Sequence, residues 1–224
     1  MSHFSVLVIG DYPEDQLDQF YGEKWDWFEI GGRWAGRLKL KPEYAHFGEP
    51  QEETWNSPEV PAGWCDQAFK DQLDFASMVP ELSERAEQEF ERIRSAIDGL
   101  EEPKGFEELK DIHKSLSQHE VVKLFWDQPF CNAIRELYPN SYFLDPMQLV
   151  GVEKESFVKT SVLRSIYPFF AVLNHGEWFE QGSMGLWFGA SDKQFNDHDW
   201  HNLIEKMVIE ADEKSLLTVI DCHY

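Results

Sequence analysis

The fold is decided first by a short apolar stretch near the start of the chain, Phe4-Ser-Val-Leu-Val-Ile-Gly10. Its β-branched residues and its closing glycine are typical of a buried strand. A second stretch of this kind stands at the other end, Leu216-Leu-Thr-Val-Ile-Asp-Cys-His-Tyr224. We therefore predict an α+β fold in which a mixed β-sheet is built from N-terminal and C-terminal segments.

The sequence between these strands has a helical pattern first and an α/β pattern later. A helix that opens near Pro80 shows apolar residues at helical spacing. Further helices are predicted around 106–116, 120–126 and 129–137. The last third predicts strands at 167–173, 177–180 and 182–189 and a helix over 198–210, capped by Asp197. We predict one domain over residues 1–224, with a helical insertion at 79–140.

The charge balance limits what the protein can bind. Of the 224 residues, 42 are acidic and 20 are basic, which gives a net charge of −22. Such a field disfavours direct binding to DNA, RNA or an anionic membrane. Two hypotheses remain for the acidity: a generally soluble surface, or a face that imitates nucleic acid and docks on a basic protein. With 42% hydrophobic residues the chain is a folded globule and not a disordered acidic tail.

The cysteines and the chain start indicate the compartment. Cys65, Cys131 and Cys222 are widely spaced and lack any CxxC pair, which disfavours a disulfide scaffold or a zinc ribbon. The start carries no basic leader, and no apolar run has the length of a membrane span. We expect a cytoplasmic protein without a membrane partner, and the sequence leaves a homo-oligomer open.

A tryptophan-rich stretch, Trp25-Asp-Trp-Phe-Glu-Ile-Gly-Gly-Arg-Trp34, has the look of a binding site. The glycines let the backbone approach a ligand closely, and aromatic packing can hold the arginine with its planar fork free for a phosphate. A half-exposed strand is predicted over 34–41. It carries Arg37, Lys39 and Lys41 on one side, and these residues form a basic patch together with Arg33. The alternative is that the tryptophans form a core and that Arg33 pairs with Asp26 or Glu29.

Aromatic faces stack on flat bases and an arginine takes an anionic group, so a small nucleotide-like ligand suits these residues. The predicted ligand-binding residues are Trp25, Trp27, Arg33, Trp34, Arg37, Glu180 and Trp187.

The two terminal strands supply the candidate catalytic residues. If the strands are antiparallel neighbours, His3 and Ser5 approach Asp221 and His223. Asp221 and His223 share a strand face, and an Asp/His group can orient a general base or begin a metal site. We predict His3, Asp221 and His223 as catalytic. The alternative is that they are polar residues that cap a sheet edge.

Other motifs argue against a cofactor. The cluster Asp197-His-Asp-Trp-His201 resembles a local metal motif, but two histidines alone do not define a zinc site. The chain has no Walker loop, no GxGxxG after the first strand and no GxSxG elbow. We therefore predict no metal and no cofactor.

Four stretches resemble a family of uncharacterised proteins found in phages and prophages: Met1-Ser-His-Phe-Ser-Val-Leu-Val-Ile-Gly10, the stretch 25–34, Glu180-Gln-Gly-Ser-Met-Gly-Leu-Trp187 and Leu217-Thr-Val-Ile-Asp-Cys-His223. The resemblance covers both ends of the chain and not the helical middle. It implies a phage accessory protein that acts on host physiology or host defence, in the host cytoplasm.

Three functions fit these observations. The first is an accessory protein that binds a small nucleotide-type ligand. The second is an enzyme that acts on a nucleotide or a nucleic-acid component through the His/Asp group. The third is an acidic nucleic-acid mimic that inhibits a basic host protein.

Overall fold

The computed structural model of the chain describes residues 3–139, 145–182 and 195–224. These residues form two compact units, one made of Met1–Leu82 with Thr160–Tyr224 and the other of Ser83–Lys159. Within the described residues, no helix is long and apolar enough to cross a membrane.

The first unit contains every strand of the described residues. The strands are β1 (His3–Ile9), β2 (Trp27–Ile30), β3 (Leu38–Lys39), β4 (Trp64–Cys65), β5 (Gln67–Phe69), β6 (Ala171–Asn174), β7 (Glu177–Glu180) and β8 (Leu216–His223). The α-helices are α1 (Pro13–Asp18), α2 (Val79–Ile97), α3 (Phe106–Ile112), α4 (Gln118–Asp127), α5 (Pro129–Leu137), α6 (Lys154–Ile166) and α7 (Asp197–Glu210).

The main sheet has the strand order β2-β8-β1-β6-β7, and β5 also pairs with β8. The first strand, β1, runs antiparallel to the last strand, β8, and parallel to β6. This arrangement confirms the predicted α+β fold with a mixed sheet from both chain ends. The structure does not describe residues 183–194. The strand predicted at 182–189 therefore lies outside the described residues except for its first position.

The central strands are buried on both faces, as their continuous apolar sequences require. One face carries Phe4, Val6 and Val8 of β1 with Ile220 and Cys222 of β8, all in one apolar cluster. The other face carries the alternate residues, of which Leu7, Ile9, Leu217 and Val219 are completely buried. Alternation along a strand therefore assigns each residue of β1 and β8 to one face, which fixes the side on which the polar residues at the strand ends lie.

The second unit is helical and has its own apolar clusters. Ile93 and Ile97 of α2 meet Phe130 and Ile134 of α5 and Leu149. Helix α4 begins with a capping box, in which Ser117 accepts from the Glu120 amide and the Glu120 carboxylate accepts from the Ser117 amide. The helices predicted around 106–116, 120–126 and 129–137 are confirmed as α3, α4 and α5.

Three sequence-based predictions about local structure were wrong in detail. The strand predicted at 167–173 begins only at Ala171. The strand predicted at 34–41 shortens to Leu38–Lys39, because Gly36 takes a positive φ of 68° that ends the extended backbone. The cap of α7 is Asn196 and not Asp197, since the Asn196 side chain accepts from the Asp199 amide.

Candidate functional site

The register of three strands brings polar residues into two rows on one sheet face. His3 lies opposite His223, which lies opposite Trp27. Ser5 lies opposite Asp221, which lies opposite Glu29. Residues that face one another across strands share a sheet face, so both rows lie together where β1 begins and β8 ends. Ser5 donates its hydroxyl to the Pro168 carbonyl and is left out of the site, whereas Asp26, which immediately precedes β2, belongs to it. We call the resulting group the sheet-end cluster; it consists of His3, Asp26, Trp27, Glu29, Asp221 and His223.

His3 and Asp221 form the buried half of the cluster. His3 Nδ1 lies 3.0 Å from Asp221 Oδ1, and the Asp221 side chain is completely buried. The second carboxylate oxygen, Oδ2, accepts a hydrogen bond from the Arg33 amide at 3.1 Å. A carboxylate oxygen accepts hydrogen bonds, so His3 Nδ1 is the donor in this contact. Asp221 thus sets both the tautomer and the orientation of the His3 ring.

His223 and Asp26 form a second pair beside the first. His223 Nδ1 lies 2.5 Å from Asp26 Oδ1, and the Asp26 side chain is 58% exposed. The two imidazole rings are 5.1 Å apart between centroids and meet edge to face. Within the part of the chain that the structure describes, no hydrogen bond involves Nε2 of either ring. Both Nε2 atoms are therefore left to bind or exchange a proton.

The diglycine holds the backbone against two carboxyl groups of the protein itself. Gly31 and Gly32 have φ values of 73° and 51°. A Cβ on Gly32 would lie 2.6 Å from Asp221 Cβ, and one on Gly31 would lie 2.3 Å from Asp66 Oδ2. The expectation that these glycines admit a ligand is thus corrected: they let the turn close over Asp221 and Asp66.

Asp66 is the second carboxyl group under this turn. Its Oδ1 accepts from the Gly36 amide at 2.6 Å. Burial raises the pKa of Asp66, and the Gly36 hydrogen bond acts in the opposite direction. The loop from Gly31 to Gly36 is therefore shaped by carboxylates at both of its ends.

Arg33 projects from this loop into solvent. Its side chain is exposed, and Nε donates to Asn56 Oδ1 at 3.4 Å, while Asn56 Nδ2 donates to Glu29 Oε2 at 3.0 Å. Among the described residues Arg33 forms no ion pair, so the alternative pairing with Asp26 or Glu29 is wrong; Asn56 stands between Arg33 and Glu29. The guanidinium is left with donors for an anionic group beside the sheet-end cluster.

The tryptophans of the motif divide between ligand-accessible and core positions. Trp27 is 44% exposed and lies 6.0 Å from the His3 ring between centroids, so its face is open to a ligand. Trp25 is only 4% exposed, and its Nε1 donates to the Leu17 carbonyl. The predicted stacking role of Trp25 is corrected, since its ring belongs to the apolar core.

Trp34 and Arg37 lie between these extremes. Both are half-buried, and neither Trp34 Nε1 nor Arg37 Nε has a hydrogen-bond partner among the described residues. Burial lowers the pKa of the Arg37 guanidinium. Among the described residues, no hydrogen bond or ring contact joins Trp34 or Arg37 to His3 or His223. The predicted ligand contacts of Trp34 and Arg37 therefore stay predictions.

Glu180 lies away from the cluster. Its register partner is Ala171, which faces Val6 on the opposite side of the sheet from the two histidines. Strand β7 is separated from β2 by three strands, or about 19 Å at the usual strand spacing. Glu180 accepts from Lys24 Nζ and Trp178 Nε1, so its predicted place beside Arg33 is corrected. Trp187 lies outside the described residues.

The local cluster at 197–201 disperses in the fold. His198 Nδ1 lies 2.8 Å from Thr160 Oγ1, whereas His201 is only 5% exposed. Across the described ranges, no group of three or more His, Cys, Asp or Glu side chains is arranged to hold a metal ion. Cys222 faces away from the cluster, where burial, and secondarily Asp221, raise the pKa of its thiol.

Sequence reasoning missed three contributors. Asp26 was considered only as a partner of Arg33, although it immediately precedes β2 and so meets the end of β8. Asn56 and Asp66 come from stretches without a regular period, and only tertiary structure places them at the motif.

No family model, no curated protein and no solved structure matches the chain.

Proposed function

We propose that the sheet-end cluster is an acid–base active site that acts on a small phosphate-bearing nucleotide. The observation that carries the proposal is the pair of adjacent imidazoles, His3 and His223, each bonded through Nδ1 to a carboxylate. This arrangement fixes the orientation of both imidazole rings through Nδ1 and leaves both Nε2 atoms for chemistry.

The reaction class that fits is hydrolysis of a phosphate ester. One imidazole Nε2 takes a proton from the attacking water, and the oxygen of that water forms a new bond to phosphorus. The other imidazole, protonated at the start, gives its proton to the leaving oxygen as the bond from phosphorus to that oxygen breaks. Asp221 and Asp26 stabilise whichever ring carries the positive charge.

Two further residues support a nucleotide as the substrate. Arg33, which forms no ion pair within the described residues, offers donors to phosphate, and the exposed face of Trp27 offers a stacking surface beside His3. The net charge of −22 disfavours a long nucleic acid, so a mononucleotide or a short cyclic nucleotide is the favoured class. We place this activity among phage accessory functions that act on the host, in line with the resemblance of the chain ends.

The test is turnover of 2′,3′-cyclic AMP and of 3′,5′-cyclic AMP, followed by chromatography of the products. We expect the wild-type protein to open at least one of the two rings and the His3→Ala and His223→Ala variants to lose that activity. His198→Ala is the matched control, because His198 is a histidine of the same unit that bonds to Thr160. Turnover that persists in a His3→Ala/His223→Ala double variant would contradict the proposal.

Nucleotide binding without turnover is the second candidate, favoured by the unpaired charge of Arg33 beside the cluster. In that case Arg33→Ala abolishes retention of the nucleotide, whereas His223→Ala leaves it largely intact. Equilibrium dialysis with the two cyclic nucleotides, followed by chromatography of the dialysate, separates the two candidates. Under binding alone the wild type returns the nucleotide unchanged, whereas the enzyme converts it and a ligand still held by His223→Ala is no longer converted.

A further inference from the structure

A loop beside the sheet-end cluster carries a tryptophan that the sequence motifs did not single out. Gln51 and Val60 exchange two backbone hydrogen bonds of 2.9 Å, and the Thr54 amide donates to the Ser57 carbonyl at 2.8 Å. Residues 51–60 therefore form a closed loop with Trp55 at its tip. Trp55 is 92% exposed, the highest value among the large hydrophobic residues that the structure describes.

The tip of this loop is attached to the cluster through the residue after Trp55. Asn56 Nδ2 donates to Glu29 Oε2 at 3.0 Å, and Asn56 Oδ1 lies 3.4 Å from Arg33 Nε. The Asn56 amide also approaches Thr54 Oγ1 at 3.3 Å within the turn. Trp55 is consequently a chain neighbour of the residue that contacts the unpaired arginine.

Exposure of the Trp55 indole to water is energetically unfavourable, and a ligand that covers the ring removes this exposure. Tryptophan is highly buried on average, and leaving its large apolar surface in water forgoes the favourable free energy of burial. A loop tip held by Asn56 keeps the ring near the site, and a ring with only two side-chain torsions loses little entropy when it stacks. Every nucleobase has a flat face that an indole can cover, whichever base it is.

We propose that Trp55 is a second base-stacking residue of the site beside Trp27, so that a nucleotide places its base against Trp55 and its phosphate between Arg33 and the two histidines. The inference rests on the proposed function and adds to it the part of the ligand that is recognised. Because stacking does not read the edges of the base, the site accepts both purine and pyrimidine nucleotides and discriminates against sugar phosphates without a base.

Calorimetric titration with AMP and with ribose 5-phosphate tests this assignment. The wild type is expected to bind AMP more tightly than ribose 5-phosphate. Trp55→Ala should weaken AMP binding by about tenfold or more, the usual effect of removing one stacked aromatic residue, and leave ribose 5-phosphate binding unchanged. Trp55→Phe should restore most of the AMP affinity. Phe47→Ala, which removes another exposed aromatic residue, is the control and should bind both probes as the wild type does.

The outcomes separate this inference from the proposed function. If the wild type binds both probes equally and loses both in Arg33→Ala, the phosphate site stands and the role of Trp55 is refuted. Equal loss of both probes in Trp55→Ala would also refute it, because the residue would then act without regard to the base. If neither probe binds to the wild type, both proposals fail together.

Discussion

The first unit contains two groups of histidine and acidic residues, and the fold separates the side chains of one group and brings those of the other together. His198 and His201 stand with Asp197 and Asp199 in a run of five residues, yet His198 bonds to Thr160 and His201 is buried. His3 and His223 are separated by almost the whole chain, yet their rings lie 5.1 Å apart, each with a carboxylate on Nδ1. The spacing of residues on one helix says less about a site than the pairing of two strands.

The physical reason is that a helix turns its residues towards different surroundings, whereas paired strands align theirs. In α7, residue 198 is exposed and residue 201 is buried. In β1 and β8, each residue has a fixed partner, so a polar pair at the strand ends meets its counterpart directly. The sheet-end cluster is consequently the group whose geometry is built into the fold.

The largest difference between the two groups is expected in catalysis. His3→Ala and His223→Ala should each lower turnover of the cyclic nucleotide that the wild type converts by about 100-fold or more, the usual contribution of a general acid or base. His198→Ala should leave the rate unchanged. Initial rates measured across pH check the assignment, because loss of one histidine should remove one limb of a bell-shaped profile. A rate that falls equally in His198→Ala would show that the two groups of histidines do not differ in catalysis.

Stability should distinguish the two carboxylates that bond to the histidines. Asp221→Ala leaves the Arg33 amide and His3 without their acceptor in a buried place, at a cost of about 3 kcal/mol in the free energy of unfolding. Asp26→Ala removes a partner that is 58% exposed and should cost less than about 1 kcal/mol. Urea denaturation gives both values. Equal costs would show that Asp221 is not the anchor of the His3 ring.

The diglycine offers a matched pair of substitutions. Gly32→Ala introduces a Cβ that would lie 2.6 Å from Asp221 Cβ at a positive φ, so we expect a loss of about 2–3 kcal/mol. Gly22→Ala places a Cβ at a φ of 75° with no atom within 4 Å, and strain alone should cost about 1 kcal/mol. Thermal unfolding of the two variants separates collision with Asp221 from backbone strain. Identical melting temperatures would refute close packing of the turn on Asp221.

The smallest effect is expected at Asp66 and depends on pH. Burial raises the pKa of Asp66 in the folded state, so between the unfolded pKa, about 3.9, and the folded pKa the native protein holds a proton that the unfolded chain has lost. The free energy of unfolding from this group therefore falls as pH rises through that window. Asp66→Asn removes this dependence and retains an acceptor for the Gly36 amide.

For Asp66→Asn relative to wild type, we expect a gain in stability that grows with pH in this window and then levels off. Its size should stay below about 1 kcal/mol, because the carboxyl group is partly screened by solvent. Urea midpoints at a series of acidic to neutral pH values measure it. A gain that is the same at every pH would show that the burial of Asp66 is not the cause.

The part of the fold that follows from strand pattern could be predicted from the sequence. Two apolar end strands predicted a shared sheet, and the approach of His3 to Asp221 was predicted for the case that the strands pair antiparallel, as they do. The shared face of Asp221 and His223, with Cys222 on the other face, also follows. These features depend on period and register alone.

Contacts made by irregular segments could not be predicted in the same way. Trp25 precedes β2, and its direction is set by the Leu17 carbonyl and the apolar core. The diglycine is explained by Asp66, which lies against Gly31, and by Asp221, which lies against Gly32, and both are distant from it in the sequence. Nothing in a loop of mixed composition marks Asn56 as the residue that contacts Arg33, because loop conformation has no sequence period.

The most direct test of the central claim is a ¹⁵N–¹H correlation spectrum of the histidine rings at a pH where they are neutral, recorded with and without AMP. The account predicts that His3 and His223 carry their hydrogen on Nδ1, that Asp221→Asn and Asp26→Asn each disturb one of the two, and that AMP shifts the Nε2 signals of both rings but not those of His198 or His201. A hydrogen on Nε2 of either ring in the free protein, or an AMP effect confined to other histidines, would contradict it.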